Sequence, residues 1–443
     1  MVNEKTGEGL KRVVGVPGLA LAIINGVIGA GIFALPAIVG TALGAFAVFG
    51  YIFCGIMLAA IMLCYAEIGS RVTTSGGSYA YVETAFGNFP GYIVNWLYFF
   101  GWSILSSAAL MNIIADSLAV LFPAFSNSLV RGLFFLVLIG FMILINVRGA
   151  KQGIGFIKLI TIIKLLPLLG IIIFGFSQVK AGNLHWEHIP SLKTFGNTTL
   201  ILFFAFAGFE SCLGVSGEFK NSKRTVPLGI FVGGTIVLIV YMLLQIVTQG
   251  VLGAEIAVYK DAPLAAVAEK IVGPVGATIL LFTAAISCFG CVSADVMATP
   301  RSLFAGANNG MFPKFLGKVH PAFATPYLAV TTYGSLIFIF SISGGFKQLA
   351  ILASAAILLV YLAVILATIK LRRKKQVAAE KTFRAPGGLI FPFIGVASIT
   401  WLLTSLSKWE ILSTIIFIAA ICIIYFVTKK FKKEKIITIP AAE

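Results

Sequence analysis

The chain is 443 residues long and 59% apolar, with charged residues at only 11% and a formal net charge of +17. An ordinary soluble domain carries about 25% charge, so water is excluded as the main solvent of this surface and a bilayer takes its place. The positive balance does not mark a nucleic-acid binder or an acidic partner: the basic residues are parcelled among short loops, the pattern that orients membrane proteins.

Met1 to Gly15 is polar and carries Lys5, Lys11 and Arg12. The apolar stretch behind it runs beyond the length of a signal-peptide core, so 1–15 reads as a cytoplasmic segment before a retained first span. Apolar runs of about 20 residues, the length that crosses a hydrocarbon layer of about 30 Å, then recur along the chain. They predict twelve transmembrane helices at 16–38, 43–66, 92–121, 130–147, 155–177, 198–217, 227–251, 272–300, 326–343, 348–369, 388–405 and 410–428. An even count places both termini on one side. The tail, 429–443, with Lys429, Lys430, Lys432, Lys433 and Lys435, makes that side cytoplasmic, as does the basic loop 371–387. With the N-terminus inside, 25 of the 33 Lys and Arg residues lie on the cytoplasmic side, seven lie outside, and Lys164 falls within a span.

Span one reads Asn25-Gly-Val-Ile-Gly-Ala-Gly-Ile-Phe-Ala-Leu-Pro36, where Gly26, Gly29, Gly31 and Pro36 weaken a continuous helix. Span six repeats the weakness in Phe204-Ala-Phe-Ala-Gly208-Phe-Glu210-Ser-Cys-Leu-Gly214. Glycine also serves close helix packing in membranes. Two breaks five spans apart, however, occupy corresponding positions if 16–177 and 178–370 are inverted repeats, the arrangement that builds a substrate site at mid-membrane. Bare N–H groups at Gly29, Ala30 and Gly31 would open a half-helix toward a carboxylate. Bare carbonyls from Ala205 to Gly208 would face an ammonium. Together they describe a receptor for a zwitterionic amino acid.

Lys164, Glu210 and Asp295 lie well inside spans, where a charge is costly unless it is paired or functional. Lys164 in span five can stand in for a bound Na⁺ or carry a coupled proton, and either role makes sodium coupling unnecessary. Glu210 in span six and Asp295 in span eight are candidates for proton relay or for holding a cationic group; Asp295 has the further reading of pairing helices through Ser287 or Ser293. Asp116, near the outer end of span three, is a weaker candidate that would face water. Six cysteines lie in apolar segments and read as packing residues, the Cys288-x-x-Cys291 pair included. His185 and His188 read as a solvated outer loop. No metal site and no cofactor are expected.

At these residues the chain resembles the amino acid–polyamine–organocation superfamily of permeases. The resemblance rests on Gly29-Ala-Gly-Ile-Phe, on Tyr65-Ala-Glu67-Ile-Gly69-Ser-Arg71 with Ser75-Gly-Gly-Ser-Tyr79-Ala-Tyr81 and Phe86-Gly87, on Phe206-Ala-Gly-Phe-Glu210 with Lys223-Arg-Thr-Val-Pro227, and on Asn309-Gly-Met-Phe-Pro313 with Val319-His-Pro321. It implies an all-α integral membrane protein with a LeuT-like 5+5 inverted repeat, broken helices one and six, and two further helices at 388–428. Substrate would be held by Val27, Ile28, Gly29, Ala30 and Gly31 at the first break, by Phe204, Ala205, Ala207 and Gly208 at the second, and by Ser103 and Asp295 across from them. Compared with arginine/agmatine antiporters of that superfamily, Phe204 matches an aromatic gate, Glu210 the span-six carboxylate and Tyr92 an inner-gate tyrosine. Asp295 stands where those antiporters carry a stacking tryptophan, which argues against arginine exchange. Lys164 resembles the span-five lysine of sodium-independent members.

The expectation is an inner-membrane amino-acid transporter, a monomer or homodimer in lipid, working by alternating access as a proton symporter or an exchanger, with Asp295 favouring cationic side chains. Polyamine transport is the alternative within the class, and needs no carboxylate receptor at Gly29 to Gly31. An ion channel would show a repeated filter or a ring of like charge, and an enzyme a convergent nucleophile and base; the sequence shows neither.

Overall fold

The computed structural model describes residues 14–29, 31–72, 76–148, 154–186, 188–213, 220–308, 310–373 and 383–437. Fifteen α-helices dominate these residues and no strand occurs among them. They are α1 Val16–Val27, α2 Gly31–Leu43, α3 Ala47–Arg71, α4 Ser78–Phe86, α5 Asn88–Leu121, α6 Ser128–Val147, α7 Ile154–Gly175 and α8 Leu192–Phe203. There follow α9 Ser222–Leu252, α10 Pro263–Val272, α11 Pro274–Asn308, α12 Tyr327–Ser343, α13 Phe346–Arg373, α14 Ile390–Thr404 and α15 Lys408–Ile437. Among the described residues nine helical stretches are long and apolar enough to cross a membrane, and α1, α12 and α14 are shorter apolar helices.

The helix starts follow local chemistry. Asn127 Oδ1 accepts from the amides of Leu129 and Val130 at the head of α6, and Ser191 Oγ accepts from Thr194 at the head of α8, satisfying donors with no partner in their own helix. Proline opens α10, where its missing N–H costs nothing. The two short helices α4 and α10 are additions to the sequence reading, which left their residues as loops. Each is too short to span and links two long helices.

Packing places α1 and α3 against the glycine face of α9. A Cβ at Gly229 would sit 2.8 Å from the Leu19 side chain and one at Gly233 3.0 Å from Ile23. Without a water-driven hydrophobic effect between helices, such close backbone approach is what holds them together. At the periphery α6 and α15 turn large apolar side chains outward: Val137 is 70% exposed and Ile423 63%. Lipid is the natural cover for such faces.

Two charged knots tie helix ends. Asp116 is partly exposed and also pairs with Arg131 at 2.6 Å. Arg131 also donates to Asn112 Oδ1 at 2.8 Å, and Asn112 Nδ2 caps the carbonyls of Ser341 and Gly344 between α12 and α13. On the other side Glu67, fully buried, accepts from Arg71 at 2.8 Å, from Arg372 at 2.8 and 2.5 Å, and from the amide of Ala385 at 2.9 Å. This explains the Glu67-x-x-x-Arg71 motif: it staples α3 to α13 and to the segment after it. On the exposed outer face the Lys270 ammonium donates to Glu255 at 2.6 Å and holds that carboxyl below its ordinary range.

Removing one partner from a buried ion pair costs about 3–5 kcal/mol because the other charge is left stranded. Glu67→Ala is therefore expected to lower the melting temperature of the detergent-purified protein sharply, whereas Glu255→Ala, at an exposed pair, should leave it within a degree or two.

Candidate functional site

Helix α1 ends at Val27, and the chain runs through Ile28 and Gly29 before α2 begins at Gly31. Gly29 N bonds only to the Val27 carbonyl, at 2.8 Å, so the helical ladder is interrupted here. A second interruption follows α8. The turn Phe204–Phe206 tightens to 3₁₀ geometry, Ala207 is extended at φ −79° and ψ 161°, and Gly208 takes φ +115° before a short helical turn at Phe209–Leu213. A side chain at Gly208 would be strained by that backbone, and one at Gly31 would place its Cβ 2.5 Å from that of Ala205. The breaks lie against each other because glycine stands at both contact points.

Four carbonyls at the breaks find side-chain donors on other helices. Lys164 on α7, fully buried, donates to the carbonyls of Asn25 at 2.6 Å and Ile28 at 2.7 Å, and Thr161 donates to the Asn25 side chain at 3.0 Å. Among the described residues no carboxylate pairs with Lys164. Tyr241 on α9 reaches both breaks, with its hydroxyl 2.9 Å from the Val27 carbonyl and 3.1 Å from that of Ala205. The second break is braced by Glu210, whose Oε2 accepts from the amide of Gly208 at 3.0 Å and from the Tyr361 hydroxyl at 2.5 Å.

A cavity of about 260 Å³ lies between the breaks and helices α5 and α11. Gly26 and Ser211 at its rim are exposed. At the opposite end Phe204 lies against Trp102 at 5.7 Å and against Phe346 at 5.6 Å. The lining is therefore exposed at Gly26 and Ser211, near the end of α1, and packed under aromatic rings at Phe204.

Of the residues expected to hold substrate, Val27, Gly29, Gly31, Ser103, Phe204, Ala205, Ala207, Gly208 and Asp295 line this cavity. Ile28 is fully buried and contributes its carbonyl to Lys164 instead. Ala30 lies outside the described residues. Lys164 and Glu210 stand behind the cavity wall and act on the backbone of the breaks. Tyr92 is not brought to the site: it lines a separate cavity of about 290 Å³ with Tyr79, Glu83 and Tyr425. Tyr98, within electrostatic range of the Glu210 and Asp295 carboxylates, does line the cavity between the breaks.

Asp295 is held by hydroxyl groups. Its Oδ2 accepts from Ser103 at 2.8 Å, from Ser107 at 2.7 Å and from Tyr333; its Oδ1 accepts from Thr299 at 2.7 Å. Ser287, one of the two serines expected to pair with it, has no hydrogen-bond partner for its hydroxyl among the described residues. Helices α5, α11 and α12 are joined through this one carboxylate. Cys212 and Cys291 also line the cavity; all six cysteines are free thiols. Among the described residues no three His, Cys, Asp or Glu side chains converge on a metal site.

Sequence reasoning missed Tyr98, Trp102, Tyr241, Tyr333 and Tyr361. The first two sit in a π-helical turn, Leu97–Ser103, inside α5. Such turns hold one extra residue and are frequent at functional sites, and nothing in Leu97-Tyr-Phe-Phe-Gly-Trp-Ser103 announces one. The other tyrosines read as ordinary apolar-span residues until their hydroxyls find carbonyl and carboxylate partners.

A family model described as amino acid permease matches residues 14–428. The chain is 28% identical to the serine/threonine exchanger SteT of Bacillus subtilis (strain 168), over 88% of this chain and 90% of that protein. It is likewise 28% identical to a methylthioribose transporter of the same organism, over 96% and 94%. Similarity to the branched-chain amino acid permease BcaP, also of Bacillus subtilis (strain 168), is 25% over 96% and 95%.

Gly31→Ala is expected to push the two breaks apart, since the added methyl cannot coexist with Ala205 at the present spacing. Overpacking of this kind costs about 1–3 kcal/mol. Ligand affinity measured by scintillation proximity should fall about tenfold or more, with the protein still monodisperse on gel filtration.

Proposed function

The chain belongs to the amino acid permease family and is a multi-pass membrane protein; from that premise we propose that it carries a zwitterionic amino acid by alternating access, without sodium. One observation carries the reading: two helix breaks, packed on each other, line a cavity that is exposed at Gly26 and Ser211 and packed under aromatic rings at Phe204. The first amides of α2 have no acceptor within their own helix and lie at the positive end of its dipole, which suits a carboxylate. The carbonyls that end the Phe204–Phe206 turn suit the ammonium. Irregular backbone of this kind is tolerated at membrane depth only where it is buried in protein or lines a cavity.

Twelve spans arranged as two inverted five-helix repeats, 16–177 and 178–370, with a further pair at 388–428, account for this geometry. Support comes from the breaks, five spans apart, and from α4 and α10, each a short helix following the second span of its repeat. Both termini then lie in the cytoplasm of an inner-membrane protein, and the cavity as described faces inward. Monomer and homodimer both suit this arrangement.

Sodium independence follows from Lys164, whose ammonium occupies the place a cation would take beside the first break. Outward closure is supplied by Phe204, Trp102 and Phe346, and Glu210 with Tyr361 braces the inward half. Transport is then completed by exchange for a second amino acid or by a proton carried with the substrate.

Reconstituted protein is expected to take up at least one labelled amino acid in sodium-free buffer, and uptake should rise either with an inward proton gradient or with a preloaded amino acid. Lys164→Ala leaves the Asn25 and Ile28 carbonyls without their donor, at about 1–3 kcal/mol for each buried group, so uptake should drop at least tenfold. Wild-type vesicles that take up no amino acid under either condition would overturn the proposal.

A further inference from the structure

The end of the cavity built by α5 and α11 has an unusual hydrogen-bond balance. Ser103, Ser107, Thr299 and Tyr333 each bring their hydroxyl within hydrogen-bond distance of Asp295, Ser103 also lies 2.7 Å from the Tyr333 hydroxyl and 3.4 Å from that of Thr299, and Ser106 donates to the Ser103 carbonyl at 3.1 Å, so the hydrogens of this set are spent within it. A hydroxyl has one hydrogen to give. With those five hydrogens committed, this set of hydroxyls offers the cavity lone pairs and no donors. The carboxylate itself has about four lone-pair sites. Ser103, Ser107 and Tyr333 share Oδ2 and its two lone pairs, with Ser103 and Tyr333 bonded to each other as well, while Thr299 alone meets Oδ1; Oδ1 therefore retains one acceptor position, and Asp295 lines the cavity.

We infer that this wall selects small neutral amino acids bearing one side-chain hydroxyl, with Asp295 Oδ1 as the acceptor that reads it. The inference rests on the amino-acid reading above and names the substrate class of that site. One vacant lone pair matches a single O–H. An ammonium brings three N–H groups and a guanidinium five, and the negative charge that would attract them is already spread over four hydroxyl donors. A carboxylate side chain finds no donor in this wall and meets like charge, so acidic amino acids are excluded. An aliphatic chain of the same size fits the space, between Ala294, Ala298 and Leu110, but leaves the vacant acceptor unpaired. A hydrogen bond to a charged group is worth about tenfold to a hundredfold in affinity, and that is the selectivity expected between two side chains differing only by hydroxyl for methyl.

The test is competition in sodium-free proteoliposomes against whichever labelled amino acid enters best, with threonine, valine, lysine and aspartate as competitors. Threonine should compete at least tenfold more strongly than valine, lysine should be weaker than threonine, and aspartate should be without effect. Thr299→Val removes the one donor to Oδ1, along with a long 3.4 Å contact to Ser103, while leaving every cavity-lining side chain in place, and should raise the apparent affinity for lysine about tenfold by leaving the carboxylate less satisfied. Asp295→Asn should bring threonine and valine within threefold of each other. Equal competition by threonine and valine in the wild type, or lysine competing better than threonine, overturns the inference while leaving amino-acid transport standing. Absence of uptake of every labelled amino acid overturns the transport reading itself. Should Asp295→Asn not fold, the Thr299→Val comparison decides: an unchanged lysine-to-threonine ratio counts against Asp295 as the reader of the side chain.

Discussion

A hydrocarbon layer offers no water to a bare peptide group, and the architecture of this chain is organised around that one constraint. Elsewhere in the bundle the helical ladder satisfies it. At Ile28 and Ala207 the ladder is interrupted, and side chains from other helices take over: Lys164 for the carbonyls of Asn25 and Ile28, Tyr241 for those of Val27 and Ala205. These partners come from α7 and α9, so the shape of the opening in α1 is set by helices more than a hundred residues downstream. The polar groups left over after this assignment are those free to meet a solute.

Three carboxylates within the bundle, two of them buried and the third on the cavity wall, show how differently the same group is accommodated. Glu67 is neutralised by two arginines and a backbone amide and serves as a staple. Glu210 accepts one amide from the second break and one tyrosine hydroxyl, so it stiffens the backbone at Gly208. Asp295 meets only hydroxyls, which stabilise its charge without cancelling it. Counter-charge, backbone and hydroxyl shell yield, in turn, a fastener, a brace and a surface that interrogates whatever enters.

Much of this was written openly in the sequence. Glycine at 29, 31 and 208 announced where helices would fail, and the long apolar runs announced the helices themselves, because both signals depend on neighbours a few residues away. Lys164 stood out for the same local reason, as a charge in an apolar run. What stayed hidden depends on distant partners. Nothing near Tyr241 or Tyr361 indicates that one hydroxyl would meet two breaks and the other a carboxylate 151 residues away in sequence. Tyr92 was named through its resemblance to an inner-gate tyrosine, and nothing local singles out Tyr98; the π-helical turn begins at Leu97, between them. Asp295 was legible as a carboxylate in a span, but its meaning changed once four hydroxyls from three helices were found around it.

That π-helical turn carries a consequence of its own. With 3.6 residues per turn, one surplus residue rotates all that follows by about 100° relative to an uninterrupted helix. The half of α5 beyond Ser103, bearing Ser106, Ser107 and Leu110, is thus phased independently of the half that bears Tyr92 and Trp96. A chain lacking a single residue between Leu97 and Ser103 would gain a more regular helix and swing its serines away from Asp295. In this stretch regularity and selectivity are opposed, and the irregular winding is what keeps the hydroxyls aimed.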